Sequence, residues 1–323
     1  MRRAHAAALL ATLALTLRAA PAPASLGDPL AEARSALQSG EADKALSQLN
    51  SLPSTAAVHD LRCRVLLTLE HWDAAGSECE QAVRMDGETS SYHMWLGRAL
   101  GERAERASFM SAFSLAKRVR SEFETAVRLD PRNAEALADL GEFYASAPGV
   151  VGGGQEKASG VAQQLDQVDQ ARAHELCGRM AESNKDYGTA EREYKQAVAV
   201  SKHPAFQWMT LGSFYRRRSQ GADVETAVQN GVKAAQRDKM AGVALFNGAS
   251  VLVQSHRNTA LAAKMLQEYL NESTKTEEAP AFVAHTRLAR ILMELGDRNG
   301  AQEQRAAALA LAHDYKPALE LKF

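Results

Sequence analysis

The run Gly149-Val150-Val151-Gly152-Gly153-Gly154 is where backbone N–H groups could gather around a phosphate, as glycine-rich loops do ahead of a helix N-terminus. Gln155 follows it, not the Lys-Ser/Thr pair that reaches phosphate and metal, and no strand pattern precedes it. A loop capping a helix that begins near Glu156 is therefore expected. Beyond residue 25 the histidines are His59, His71, His93, His174, His203, His256, His285 and His313. None forms an HxxxH or HExxH pair, so no metal-ligand spacing is legible and no metal is expected. Neither a GxSxG elbow nor a DxDxDG loop occurs. Glu277-Glu278 sits among Ser, Thr and Lys, the composition of a solvated linker. These residues predict neither catalysis nor a cofactor.

Cys63, Cys79 and Cys177 are an odd number of thiols without CxxC or CxxCH spacing, which excludes a zinc, redox or haem motif of that kind. Cys63 and Cys79 are expected as two separately buried thiols, with pairing across facing helices as the alternative. At the N-terminus Arg2 and Arg3 precede an apolar run from Ala6 to Leu17 and the small residues Ala22-Pro23-Ala24. That order describes a signal peptide over 1–24, with cleavage after Ala24 and a mature chain over 25–323. The apolar run is too short to span a bilayer, although an uncleaved anchor is the alternative. A periplasmic or secreted location is expected.

The elements that must hold any site are helices. Hydrophobic residues make up 46% of the chain and aromatics only 6%, with alanine abundant throughout, and alanine enters helices at the lowest cost. The segments Trp95-Leu96-Gly97, Asp139-Leu140-Gly141 and Thr210-Leu211-Gly212 are alike, and a single register extends them along the chain. One column reads Ala33, Cys63, Gly97, Gly141, Gly178, Gly212, Gly248, Ala289. A second, twelve residues on in most repeats, reads Ala45, Ala75, Val119, Ala158, Ala190, Val224, Ala260, Ala301. Glycine inside a helix costs about 1 kcal/mol against alanine, so a recurrent one implies close helix approach.

These columns, with Leu137, Tyr144, Trp208, Tyr215 and Pro131, resemble the tetratricopeptide repeat. The resemblance covers about residues 26–317. It implies an all-α, right-handed superhelical solenoid of about eight antiparallel helix pairs, interrupted by insertions near 101–116 and 147–155. The segments Tyr92–Ala99 and Ala147–Gly154 are similar to those of a subgroup of exported bacterial repeat proteins.

In that family the first helices line a concave groove that holds peptides. The ninth column carries Arg34, Arg64, Arg98, Arg179 and Arg290, interrupted by Glu142, and the sixth repeat adds Arg216 and Arg217. Such a ladder suits an acidic segment or a C-terminal carboxylate. The alternative is that these arginines are exposed helix formers paired with nearby glutamates. The Lys and Asn pattern of carboxylate-clamp repeats is absent. In the seventh repeat Gly242, Leu245, Ala249, Leu252 and Val253 form an apolar patch that either docks a partner or is covered by the last repeats. The net charge of −1 argues against nucleic acid as a partner. The expected function is an exported scaffold for protein–protein interaction; the alternative is a structural subunit of an envelope assembly.

Overall fold

The computed structural model describes residues 29–238, 242–272 and 275–323; the predicted signal segment lies outside them. The described residues form eight antiparallel helix pairs and a short last helix, with no strand among them. The pairs are α1 (Pro29–Ser39) with α2 (Ala42–Asn50), α3 (Ala56–Thr68) with α4 (Trp72–Met85), and α5 (Ser90–Arg106) with α6 (Phe109–Leu129). They continue as α7 (Ala134–Ser146) with α8 (Gln155–Asp166), and α9 (Gln170–Ser183) with α10 (Tyr187–Val200). The last are α11 (Pro204–Arg217) with α12 (Gly221–Ala235), α13 (Gly242–Gln254) with α14 (Thr259–Asn271), and α15 (Ala281–Glu294) with α16 (Arg298–Leu311). Helix α17 (Lys316–Leu319) ends the array. This is the tetratricopeptide-type solenoid expected from the repeat.

Each pair folds because its termini are specified locally. Asn133, Asp169, Asp186, Asn258 and Asp297 each accept a backbone N–H of the following helix, the ordinary capping chemistry of these residues. The turns within pairs place one residue in the left-handed region two positions before the second helix: Gly40, Glu70, Lys185, Ser219 and Gly296.

The small-residue columns pack as expected at most positions. A Cβ on Gly97 would overlap the ring of Phe123 on the partner helix, and one on Gly178 would lie 2.9 Å from Tyr194. Two positions depart. Gly212 has ordinary room, its nearest neighbours being 3.6 Å away. Ala260 is exposed, and Ala262 fills the buried fourth position of α14, because the turn before it is longer than in most other pairs. Cys63 is bonded to Cys79, with Cα atoms 5.3 Å apart, so the expectation of two separate thiols is corrected. Both lie on the facing sides of α3 and α4, at a level where most other repeats carry glycine and the helices come close.

The insertion near 101–116 is not a loop. It lengthens both helices of the third pair, α5 to 17 residues and α6 to 21. The insertion near 147–155 is a 3-10 turn, Gly149–Val151, leading into α8. Gly152 and Gly154 take positive φ there, and Lys157 Nζ donates to the Gly152 carbonyl at 2.9 Å. Thus the glycines shape a capping loop, as expected.

The array closes on itself. Phe282, Ala308, Ala312, Tyr315 and Ala318 from the last helices share one buried core with Ala33, Leu37, Leu49 and Leu61 from the first. The Phe282 and Tyr315 rings meet edge to face at 4.8 Å, and the Tyr315 hydroxyl donates to Glu70 at 3.1 Å. At this seam a Cβ on Gly40 would overlap the backbone of Ala281, so glycine is required there for space as well as for its φ of 74°.

Candidate binding groove

Closure turns the concave face into an interior. First helices line two spaces there. One cavity of about 760 Å³ is bounded by Arg64, Trp95 and Arg98 on one side and Phe246, Arg287 and Arg290 on the other. A second, of about 960 Å³, lies between α9, α11 and α13, with Arg172, Glu175, Phe206 and Ser250 among its walls. Burial pushes the Glu175 carboxyl up from its ordinary value there.

The arginines of the ladder fall into distinct environments. Arg64 donates from Nε and Nη2 to both oxygens of Glu277, at 2.9 and 2.6 Å, and also reaches Asp60 at 3.4 Å. Arg98 donates to Asp139 at 2.6 Å and to Glu135 at 3.1 Å. Both guanidinium groups lie over the Trp95 ring, 5.1 and 4.5 Å from its centroid. Arg179 pairs with Glu142 at 3.5 Å, and Arg217 grips Glu182 through two bonds of 2.6 and 2.8 Å. Arg290 donates to the carbonyl of Pro317 at 3.3 Å. Arg34 is exposed, and Arg216 is half-buried, its Nε lacking a hydrogen-bond partner; neither lines the two cavities.

Glu277 is a correction. The Glu277-Glu278 linker is not a freely solvated loop: the Glu277 side chain is only 12% exposed and enters the interior to meet Arg64. Burial works against the charge on Arg64, but Glu277 and Asp60 outweigh it and hold its pKa above the ordinary value. Asp60 is the weaker partner of the cluster. Burial pushes its carboxyl up to about 6 against the pull of Arg64, and its Oδ1 is buried without a partner.

Sequence reasoning missed Arg287. It lies on α15 with its guanidinium 4.1 Å from the Phe246 ring centroid, and Nη1 donates to the Ser250 hydroxyl. No carboxylate of the described residues makes an ion pair with it, and burial pushes its pKa below the ordinary arginine value. Its position three residues before Arg290, on the same helix face, was the available signal. The apolar patch of the seventh repeat is covered: Leu245, Ala249 and Leu252 are buried together with Ala284, Leu288 and Ile291 of α15. Phe246 and Ser250 face the cavities instead.

Sequence reasoning also missed a recurrent pin. His59, His174 and His285 each bond, through Nδ1, the residue nineteen positions on: Glu78 at 2.5 Å, Glu193 at 2.7 Å and Gln304 at 2.7 Å. His93 does the same to Glu122 at 2.6 Å across a separation of 29, so the third pair is ten residues longer.

No protein-family model matches the chain, and no curated protein does. Solved structures do. A thermophilic TPR protein of Thermus thermophilus is 18% identical, over 58% of this chain and 96% of its own, with a TM-score of 0.49. A tetratricopeptide repeat protein from Parabacteroides merdae is 11% identical, over 90% and 98%, with a TM-score of 0.43. The C-terminal part of a TPR repeat-containing protein from Cytophaga hutchinsonii is 14% identical, over 91% and 100%, with a TM-score of 0.42. At these identities the likeness is one of fold alone.

Proposed function

We propose that the chain is an exported, non-enzymatic scaffold that holds a segment of a partner protein inside its ring, with a carboxylate of that segment at Arg287. The observation that carries this reading is the contrast among the interior arginines. Arg64 and Arg98 each already bond two carboxylates, whereas Arg287 has a hydroxyl and an aromatic face. A guanidinium withdrawn from water without a counter-charge is costly, and an incoming carboxylate offsets that cost through paired, charge-assisted bonds. Trp95 and Phe246 supply apolar wall for the rest of the segment. Acid recognition therefore moves from the ladder to Arg287, with Arg290 beside it. Export is supported by the Arg2-Arg3 start, the apolar run and the Cys63–Cys79 bond, which belongs to an oxidising compartment.

The test is fluorescence anisotropy with a peptide panel in which each acidic or free C-terminal carboxylate is compared with its amide. Peptides bound by wild type should lose at least about tenfold in affinity on amidation and in Arg287→Gln. Equal binding to wild type and Arg287→Gln removes the interior from consideration. A second reading has the chain dock through the tip of the long third pair, where Phe109 and Met110 are 84% and 74% exposed. Peptide binding lost in Phe109→Ser with Met110→Ser, and kept in Arg287→Gln, supports that reading instead.

A further inference from the structure

Where the ring closes, three turns far apart in sequence bring together Asp43 of α2, His71 ahead of α4, and His313-Asp314 between α16 and α17. His313 Nδ1 lies 2.9 Å from Asp43 Oδ1, and the His313 backbone N–H donates to the other oxygen of that carboxylate at 2.9 Å. The ligand atoms of Asp43, His313 and Asp314 all lie within 4.8 Å of one another. His71 Nε2 stands 3.5 Å from Asp314 Oδ2, and Asp314 Oδ1 is buried without a hydrogen-bond partner.

We infer that this seam is a divalent transition-metal site, with zinc the ion that fits best, and that the ion clasps the two ends of the array. Asp43, His313 and Asp314 are its ligands, and His71 is the positioning residue that orients Asp314. Imidazole nitrogen with carboxylate oxygens is a zinc donor set, whereas calcium and magnesium favour oxygen alone. Zinc bonds of these types imply ligand atoms about 3.3 Å apart in a tetrahedron, close to the 2.9 Å at which His313 and Asp43 already stand. The ligands come from both ends of the chain and meet only when the ring is closed. Binding free energy is therefore stabilisation of the closed form. Asp43 and His313 are 270 residues apart, which is why no local His or Asp spacing announces the site.

The experiment is a zinc titration of the metal-stripped full chain by calorimetry, with thermal melts at saturating zinc. One zinc per chain is expected, with a thermal midpoint raised by roughly 5 °C at a hundred-fold excess over Kd. His313→Ala and Asp43→Asn should each lose the binding and the shift. His71→Ala should weaken binding at least about tenfold while leaving the stoichiometry intact. The His313 side chain is 77% exposed, so its variant folds, and its melt without zinc should overlay wild type. His203→Ala, at the exposed pair with Asp238, is the control that should change nothing. Zinc binding that survives His313→Ala, or zinc that leaves the wild-type melt unmoved, overturns the proposal, as does equal affinity for magnesium.

Discussion

At the scale of single residues, the small-residue column separates glycines that space requires from glycines that it does not. Gly97 faces the Phe123 ring, which is itself buried and has no room to withdraw. Gly212 faces three neighbours at van der Waals distance. Gly97→Ala should therefore destabilise by about 1–3 kcal/mol through overpacking. Gly212→Ala should stabilise by up to about 1 kcal/mol through helix propensity. Urea unfolding of the two variants checks both signs, and a common sign would contradict the geometry. The column was legible because packing of neighbouring helices leaves a periodic trace in residue size. Glu277 and Arg287 were not, because Glu277 owes its environment to Arg64 of α3, 213 residues away, and Arg287 owes its own to Phe246 and Ser250 of the preceding pair. A polar linker and an exposed helix face look the same in sequence whether or not another element covers them.

Helix pairs are held by the histidine pins, and two of these, His93 and His285, answer to pH in opposite directions. The Glu122 bond raises His93 above the ordinary value, so its contribution is present below about pH 6.5 and is lost as pH rises through the higher folded value. Burial lowers His285, whose partner is the neutral Gln304. Its native form resists protonation, so stability falls as pH drops below about 6.5. Gln304→Glu should reverse this by raising the His285 pKa above that value, read from the imidazole resonances in an NMR titration. An unchanged His285 titration would mean that burial alone governs the pair. The separation of nineteen recurs in three of the four pins, so this device was legible from comparing histidines with the residues one helix on. The elongated third pair was legible only as an interruption of the period, since extra turns at the ends of two helices leave the register of the core intact.

For the whole molecule, the deciding feature is the contact between first and last helices. Repeat identity predicts a solenoid, but whether eight pairs meet depends on the summed small rotations between neighbours, which no single repeat encodes. The seam rests on Tyr315, almost fully buried against Phe282. Tyr315→Ala should cost about 3–5 kcal/mol, as other large aromatic deletions do. Hydrogen exchange should quicken in α1 and α2 as well as in α15 and α16. Exchange that changes in the C-terminal helices alone would show that the ends are independent. The seam also has a consequence for how the protein is made. Ala33, Leu37 and Leu61 leave the ribosome long before the residues that cover them, such as Tyr315. At about 5–20 residues per second, the 270 residues between Asp43 and His313 represent roughly 15–55 seconds of synthesis, during which that apolar face waits uncovered for its other half.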